Sequence, residues 1–307
     1  MTKLSPVLHP SRSETFSHPH GVFHFGKVPL CYFDEGDGLP IVFVHGLGGN
    51  FTHFEYLTRP LHAAGYRVIG LDLPGFGLSG KPRRDYSIVF LAGAVEALMD
   101  HLHVPSAVLC GHSLGGLVVA DVALRFPERA LGLVLISSAG LSKFSLPTRL
   151  AVQTLVRPEW VRPMLEKNAS RMLNFVVKAK NQRTARFAEQ CLTRPDQRFC
   201  RDLAVVLHAL RRDLMARHLL GDVHRLTMPT LVIWGRSDRL LPLHPVPRFV
   251  QALPQGALEV IDGCGHMPII EDPEAVLRPL HRFLTALLHQ QPLGRQAHLA
   301  RRQVRTH

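Results

Sequence analysis

A serine hydroxyl attacks a carbonyl only when a base takes its proton and a carboxylate orients that base. In this chain of 307 residues, Gly111-His112-Ser113-Leu114-Gly115, extended by Gly116, fits G-x-S-x-G. An apolar run at 107–110 leads straight in, and a helix-forming run at 114–126 leads straight out. That setting predicts a sharp strand-to-helix turn that pushes the Ser113 hydroxyl into the open, with glycines where β-carbons would collide. The partners are expected at later strand ends. Asp238 closes Gly235-Arg236-Ser237-Asp238 after the run at 230–234, and His266 closes Asp262-Gly263-Cys264-Gly265-His266 after the run at 258–261. The order Ser, Asp, His is one in which such triads occur. Nineteen histidines compete for the role of base, and His266 stands apart because its loop ends the last strand. Asp262 is the alternative carboxylate, but it lies too close in sequence to reach round the ring. One strand earlier the chain reads Ile136-Ser137-Ser138-Ala139, with no acid.

A tetrahedral oxyanion needs preorganised donors. The expected pair is the backbone N–H of Leu114, which opens the helix after the nucleophile, and that of Leu47 in His45-Gly46-Leu47-Gly48-Gly49. His45, Gly46, His112 and Met267 flank these groups and are expected to line the substrate site. Cys31, Cys110, Cys191, Cys200 and Cys264 are scattered, odd in number and without a C-x-x-C pair. They read as neither a disulfide framework nor a zinc site, so no metal is expected.

The elements that must position these groups follow from hydrophobic patterning. Strand-like runs fall at 22–25, 29–33, 41–44, 66–71, 107–110, 131–136, 230–234 and 258–261, and helical stretches at 51–64, 87–103, 114–126, 247–253 and 273–288. Short apolar strands alternating with helices predict a parallel sheet covered on both faces. Residues 141–225 break the rhythm with a strand-free insert, in which Leu203, Val206, Leu207, Leu210 and Leu214 recur at helical spacing. An insert there overhangs the edge where parallel strands open onto ligands. It reads as a helical cap, with a plain packing subdomain as the alternative. The expected organisation is a flexible segment at 1–20, a core of 21–140 and 226–289, the cap at 141–225 and a basic tail at 290–307.

The net charge of +12 is localised. The insert holds seventeen Lys and Arg against seven Asp and Glu, the tail adds Arg295, Arg301, Arg302 and Arg305, and the rest is close to neutral. No aromatic-basic recognition motif accompanies this charge, so no nucleic-acid partner is expected. A solvated face, or weak attraction of cap and tail to an anionic substrate or surface, accounts for it. The composition is that of a globular protein, and neither a membrane span nor a signal peptide is legible, so a cytoplasmic location is expected.

Taken together, His45-Gly46-Leu47-Gly48-Gly49, Asp72-Leu73-Pro74-Gly75-Phe76-Gly77, Gly111-His112-Ser113-Leu114-Gly115-Gly116, Trp234-Gly235-Arg236-Ser237-Asp238 and Gly265-His266 resemble the α/β-hydrolase superfamily over about 20–290. The resemblance implies an eight-stranded, mostly parallel sheet with helices on both faces and a helical cap after strand 6. It also implies a hydrolase of a small-molecule substrate, without cofactor. Epoxide hydrolases and haloalkane dehalogenases share the 72–77 motif and the cap, but those branches use an aspartate where this chain has Ser113. The cap also has no tyrosine. Trp234 to Arg239 is similar to the meta-cleavage-product hydrolases, which split carbon–carbon bonds of dienoic acids, and a cap arginine (Arg183 or Arg186) would then grip the substrate carboxylate. Leu47-Gly48-Gly49 and Met267 depart from that branch and favour an esterase or lipase-like enzyme. The expectation is a serine hydrolase of carboxylic esters, with the carbon–carbon hydrolase and a non-catalytic small-molecule receptor as alternatives.

Overall fold

Five runs of the chain bury every residue but one at most, and such runs suit strands covered on both faces. They are β3 (Pro40–Val44), β4 (Arg67–Leu71), β5 (Ala107–His112), β6 (Ala130–Ile136) and β7 (Thr230–Gly235). In the computed structural model, which describes residues 20–82, 86–141, 143, 145–191 and 197–290, they join β1 (His20–Phe25), β2 (Val28–Glu35) and β8 (Gly256–Ile261) in one sheet. The order is β1-β2-β4-β3-β5-β6-β7-β8. β2 pairs antiparallel with β1 and β4, and every other pairing is parallel.

Alternate side chains of each strand feed opposite cores. Val42 and Val44 join Leu91, Val95, Val118 and Val122, so α2 (Ile88–His101) and α3 (Leu114–Arg125) cover that face together with α8 (Val246–Ala252). Ile41 and Phe43 join Leu57, Leu61, Val276 and Leu280, which brings α1 (Glu55–Ala63) and α10 (Pro273–Gln290) to the other face. The expected helix over 51–64 is divided. Asn50 caps a tight turn, Phe51–Phe54, by accepting the Thr52 N–H, and α1 starts only at Glu55.

Between β6 and β7 the chain forms α4 (Leu146–Leu155), α5 (Pro158–Val176), α6 (Gln182–Cys191) and α7 (Gln197–Ala216). The expected amphipathic pattern of α7 is buried on two sides rather than one. Val206 and Leu210 enter the main core, whereas Cys200 and Ala204 pack against Val161 and Leu165 of α5. The end of α7 is fastened to the body, where Asp213 accepts the Ile88 N–H at 2.8 Å and Arg217 pairs with Asp121. Among the described residues no helix is long and apolar enough to cross a membrane.

Candidate active site

Ser113 sits between β5 and α3 at φ 54° and ψ −117°, a left-handed conformation that costs a non-glycine residue about 1–3 kcal/mol. The surroundings enforce it. The Ser113 N–H donates to the Ile136 carbonyl at 3.0 Å, and its own carbonyl accepts from Gly116 and Ala139. The flanking glycines are required by contact. A β-carbon on Gly111 would stand 2.3 Å from the Gly115 carbonyl oxygen, and one on Gly115 would stand 2.0 Å from that of Val44.

The His266 Nε2 lies 2.9 Å from Ser113 Oγ, and its Nδ1 lies 2.8 Å from Asp238 Oδ2. Nδ1–H donated to the carboxylate leaves Nε2 to accept the serine proton. The second oxygen of Asp238 accepts the Leu240 and Leu241 N–H groups, both at 2.9 Å, which fixes the acid. Asp262 instead stands at the surface with its side chain 78% exposed and pairs with Arg236. The geometry therefore joins Ser113, His266 and Asp238.

The oxyanion loop runs against the nucleophile, since a β-carbon on Gly46 would lie 2.9 Å from Ser113 Cβ. Among the described residues the N–H groups of Leu47 and Leu114 donate to no protein acceptor. Leu114 is the first residue of α3, where orphan N–H groups and the helix dipole favour negative charge.

The four residues expected at the substrate site are placed as follows. Gly46 stands against the nucleophile. His45 is fully buried; its Nδ1 bonds the Gly46 carbonyl at 2.8 Å and its Nε2 accepts the Leu73 N–H at 3.0 Å. Neither ring nitrogen is open to a ligand, and the side chain instead fixes the loop that carries Leu47. His112 is buried beside the base: its Nε2–H donates to the His266 carbonyl at 2.8 Å, and the two rings are 5.0 Å apart. Met267 is buried next to His266. Burial pushes His45 down to about 4 and His53 to about 3, and it holds His112 well below the usual histidine range. Burial pushes the Cys110 and Cys264 thiols up, which keeps both protonated near neutral pH.

Sequence reasoning missed Glu271. Its buried carboxylate gathers four backbone N–H groups: Gly265 at 2.9 Å and Met267 at 3.0 Å beside the base, and Lys178 and Ala179, each at 2.7 Å, from the cap. The His266 N–H itself donates to the Val176 carbonyl at 2.8 Å. Base loop and cap are therefore stitched together through one side chain. The available signal is an acidic pair, Glu271-Asp272, directly after the apolar run Met267-Pro268-Ile269-Ile270.

The cap also covers the oxyanion loop with apolar groups. Leu203 and Phe199 of α7 reach within 3.4 and 3.7 Å of where a β-carbon on Gly48 would be. The arginines considered as carboxylate grips are engaged elsewhere: Arg183 pairs with Glu274 at 3.1 Å, and Arg186 stands with Glu55 and Tyr56. A cavity of about 360 Å³ between α5 and α6, lined by Asn174, Val177, Asn181 and Thr184 among others, contains no member of the triad.

The sheet order, the turn at Ser113 and the three linked side chains define a class. Residues 40–273 match the family model of the alpha/beta hydrolase fold, and the chain belongs to that family. It is 31% identical over 262 residues to the pimeloyl-[acyl-carrier protein] methyl ester esterase of Photobacterium profundum, covering 83% of this chain and 98% of that one. It is 30% identical over 257 residues to the 2-hydroxy-6-oxo-6-phenylhexa-2,4-dienoate hydrolase of Burkholderia cepacia, covering 82% and 89%. The structure of a thermophilic esterase from Thermogutta terrifontis superposes with a TM-score of 0.74 at 24% identity, over 88% of this chain and 99% of that one, a likeness of fold.

Proposed function

We propose that the protein is a serine hydrolase of carboxylic esters. The observation that carries the reading is the linked set Ser113 Oγ, His266 Nε2 and Nδ1, and Asp238 Oδ2, at hydrogen-bond distance throughout. His266 takes the Ser113 proton as Oγ attacks the acyl carbonyl, and the Leu47 and Leu114 N–H groups receive the charge that develops on oxygen. The tetrahedral intermediate collapses, the alcohol leaves with the proton from His266, and an acyl-enzyme remains on Ser113. Water activated by the same imidazole then releases the acid. Asp238 holds the ring in the working tautomer and stabilises its charged form.

The second reading, carbon–carbon cleavage of a dienoate, draws on the similarity to the Burkholderia cepacia hydrolase. The deciding experiment is turnover of a p-nitrophenyl ester series from short to long acyl chains, wild type beside Ser113→Ala. Serine-dependent turnover, lost by at least roughly three orders of magnitude in the variant, is expected. Absence of ester turnover together with consumption of an ultraviolet-absorbing dienoate would replace the first reading by the second. Failure of a fluorophosphonate to label the native protein would point to the receptor.

A further inference from the structure

The cap is built in layers. α7 lies against the body through Val206 and Leu210, and α4 and α5 pack on its other side, so the far surfaces of α4 and α5 face outward. Large apolar side chains stand on that outer layer: Leu146, Leu150, Leu155, Trp160 and Met164 are between 47% and 65% exposed. Trp160 and Met164 lie one turn apart on α5, with Lys167 a turn further along the same stripe. The surrounding charge is predominantly positive. Residues 143–171 carry Lys143, Arg149, Arg157, Arg162, Lys167 and Arg171 against Glu159 and Glu166, and Glu166 is paired with Arg162 at 2.8 Å. The Arg157 guanidinium lies 5.6 Å from the centre of the Trp160 ring, so a cation and an indole share one spot.

We propose that this outer face of α4 and α5 docks on an anionic phospholipid bilayer. Leu146, Leu150 and Trp160 would enter the boundary between headgroups and acyl chains, where indole rings are favoured, while the cations meet lipid phosphates. Each cation near such a surface strengthens attachment roughly fivefold. A second copy of the chain fits poorly, because it would set two faces of the same positive sign against each other. The proposal is independent of which bond the active site cleaves.

The chain holds two tryptophans, and Trp234 is 1% exposed, so a change in emission on docking reports Trp160. Full-length protein is mixed with vesicles of phosphatidylcholine alone and with vesicles containing phosphatidylglycerol in equal part. Blue-shifted emission and co-sedimentation with the anionic vesicles only, both weakened by salt, are expected. The double variant Leu146→Ser, Leu150→Ser alters exposed positions; it should retain the wild-type circular dichroism and bind at least roughly tenfold more weakly. No co-sedimentation with anionic vesicles overturns the proposal. So does binding with unshifted Trp160 emission, or undiminished binding of the double variant, since either places the contact elsewhere, such as the Arg-rich residues 290–307.

Discussion

Glu271→Gln keeps the size of the side chain and removes one acceptor. In the native site Oε1 takes the Met267 N–H, Oε2 takes those of Lys178 and Ala179, and the Gly265 N–H is shared between the two oxygens at 2.9 Å each. An amide offers one oxygen and turns an NH2 toward whichever pair it abandons, so two donors face a donor. Gly265 and Met267 are buried, whereas Lys178 is exposed and Ala179 half-buried. The oxygen should therefore stay with the base loop and release the cap segment, whose N–H groups can turn to water. An unsatisfied buried donor costs about 1–3 kcal/mol. Two donors partly rescued by solvent then give a loss of about 2–4 kcal/mol, read as the shift in urea unfolding followed by circular dichroism. With the cap segment loose, the Val176 carbonyl alone steadies the His266 N–H from that side. A base displaced by a fraction of an ångström lowers kcat roughly tenfold to a hundredfold, with a smaller change in KM. Stability within about 0.5 kcal/mol of wild type together with unchanged kcat would refute the idea that this carboxylate couples cap and base.

Two glycines with different surroundings should respond differently to alanine. Gly115→Ala drives a β-carbon to 2.0 Å from the Val44 carbonyl oxygen, and the start of α3 must move; a loss of about 3 kcal/mol or more is expected, with the thermal midpoint falling by roughly 5 °C or more. Gly65→Ala meets nothing within 4 Å and carries only the strain of φ +87°, so about 1–2 kcal/mol is expected, and equal losses in the two variants would contradict the contact argument. Stability should also fall as pH drops from about 6.5 to about 4. His45 and His53 are neutral in the fold down to about 4 and about 3, whereas the unfolded chain takes up their protons near 6.5. Asp72, which burial raises to about 6, opposes this because the fold gains as it protonates, and the smaller rises of Glu55 and Glu96 act the same way, but His112, held well below the usual histidine range, adds to His45 and His53 and keeps the balance with the histidines. Unfolding midpoints in urea across that range check the sign, and a flat or rising profile toward acid would reject it.

The sheet was legible because buried parallel strands are continuous apolar runs, and those need no partner to be recognised. Ser113 was legible because a strained turn demands glycines at fixed places. Asp238 and His266 were legible because each follows a strand that ends at the same edge of the sheet. What escaped depends on contacts across long sequence separations. The fold-directed role of His45 requires knowing that the Leu73 N–H meets its ring. Glu271 is 93 residues from Lys178, and no local pattern announces that pairing. The two-sided burial of α7 escaped for a related reason: the period of Leu203, Val206, Leu207 and Leu210 reads as one stripe although Leu207 packs toward α5 and Val206 and Leu210 toward the body, and the small residues Cys200 and Ala204 that admit α5 leave little hydrophobic signal.

The choice between an ester and a dienoate turns on charge around Ser113. Carbon–carbon cleavage of a dienoic acid needs a cation to hold the substrate carboxylate, and of the two arginines considered for that task Arg183 pairs with Glu274 while Arg186 stands beside Glu55. The histidines near the oxyanion loop do not replace them, because burial depresses His45, His53 and His112 and keeps them neutral. The cap groups that reach the same loop are the apolar Leu203 and Phe199. An uncharged acyl chain can bury surface there at about 25 cal/mol per Å², whereas a carboxylate set against these apolar groups would give up its water.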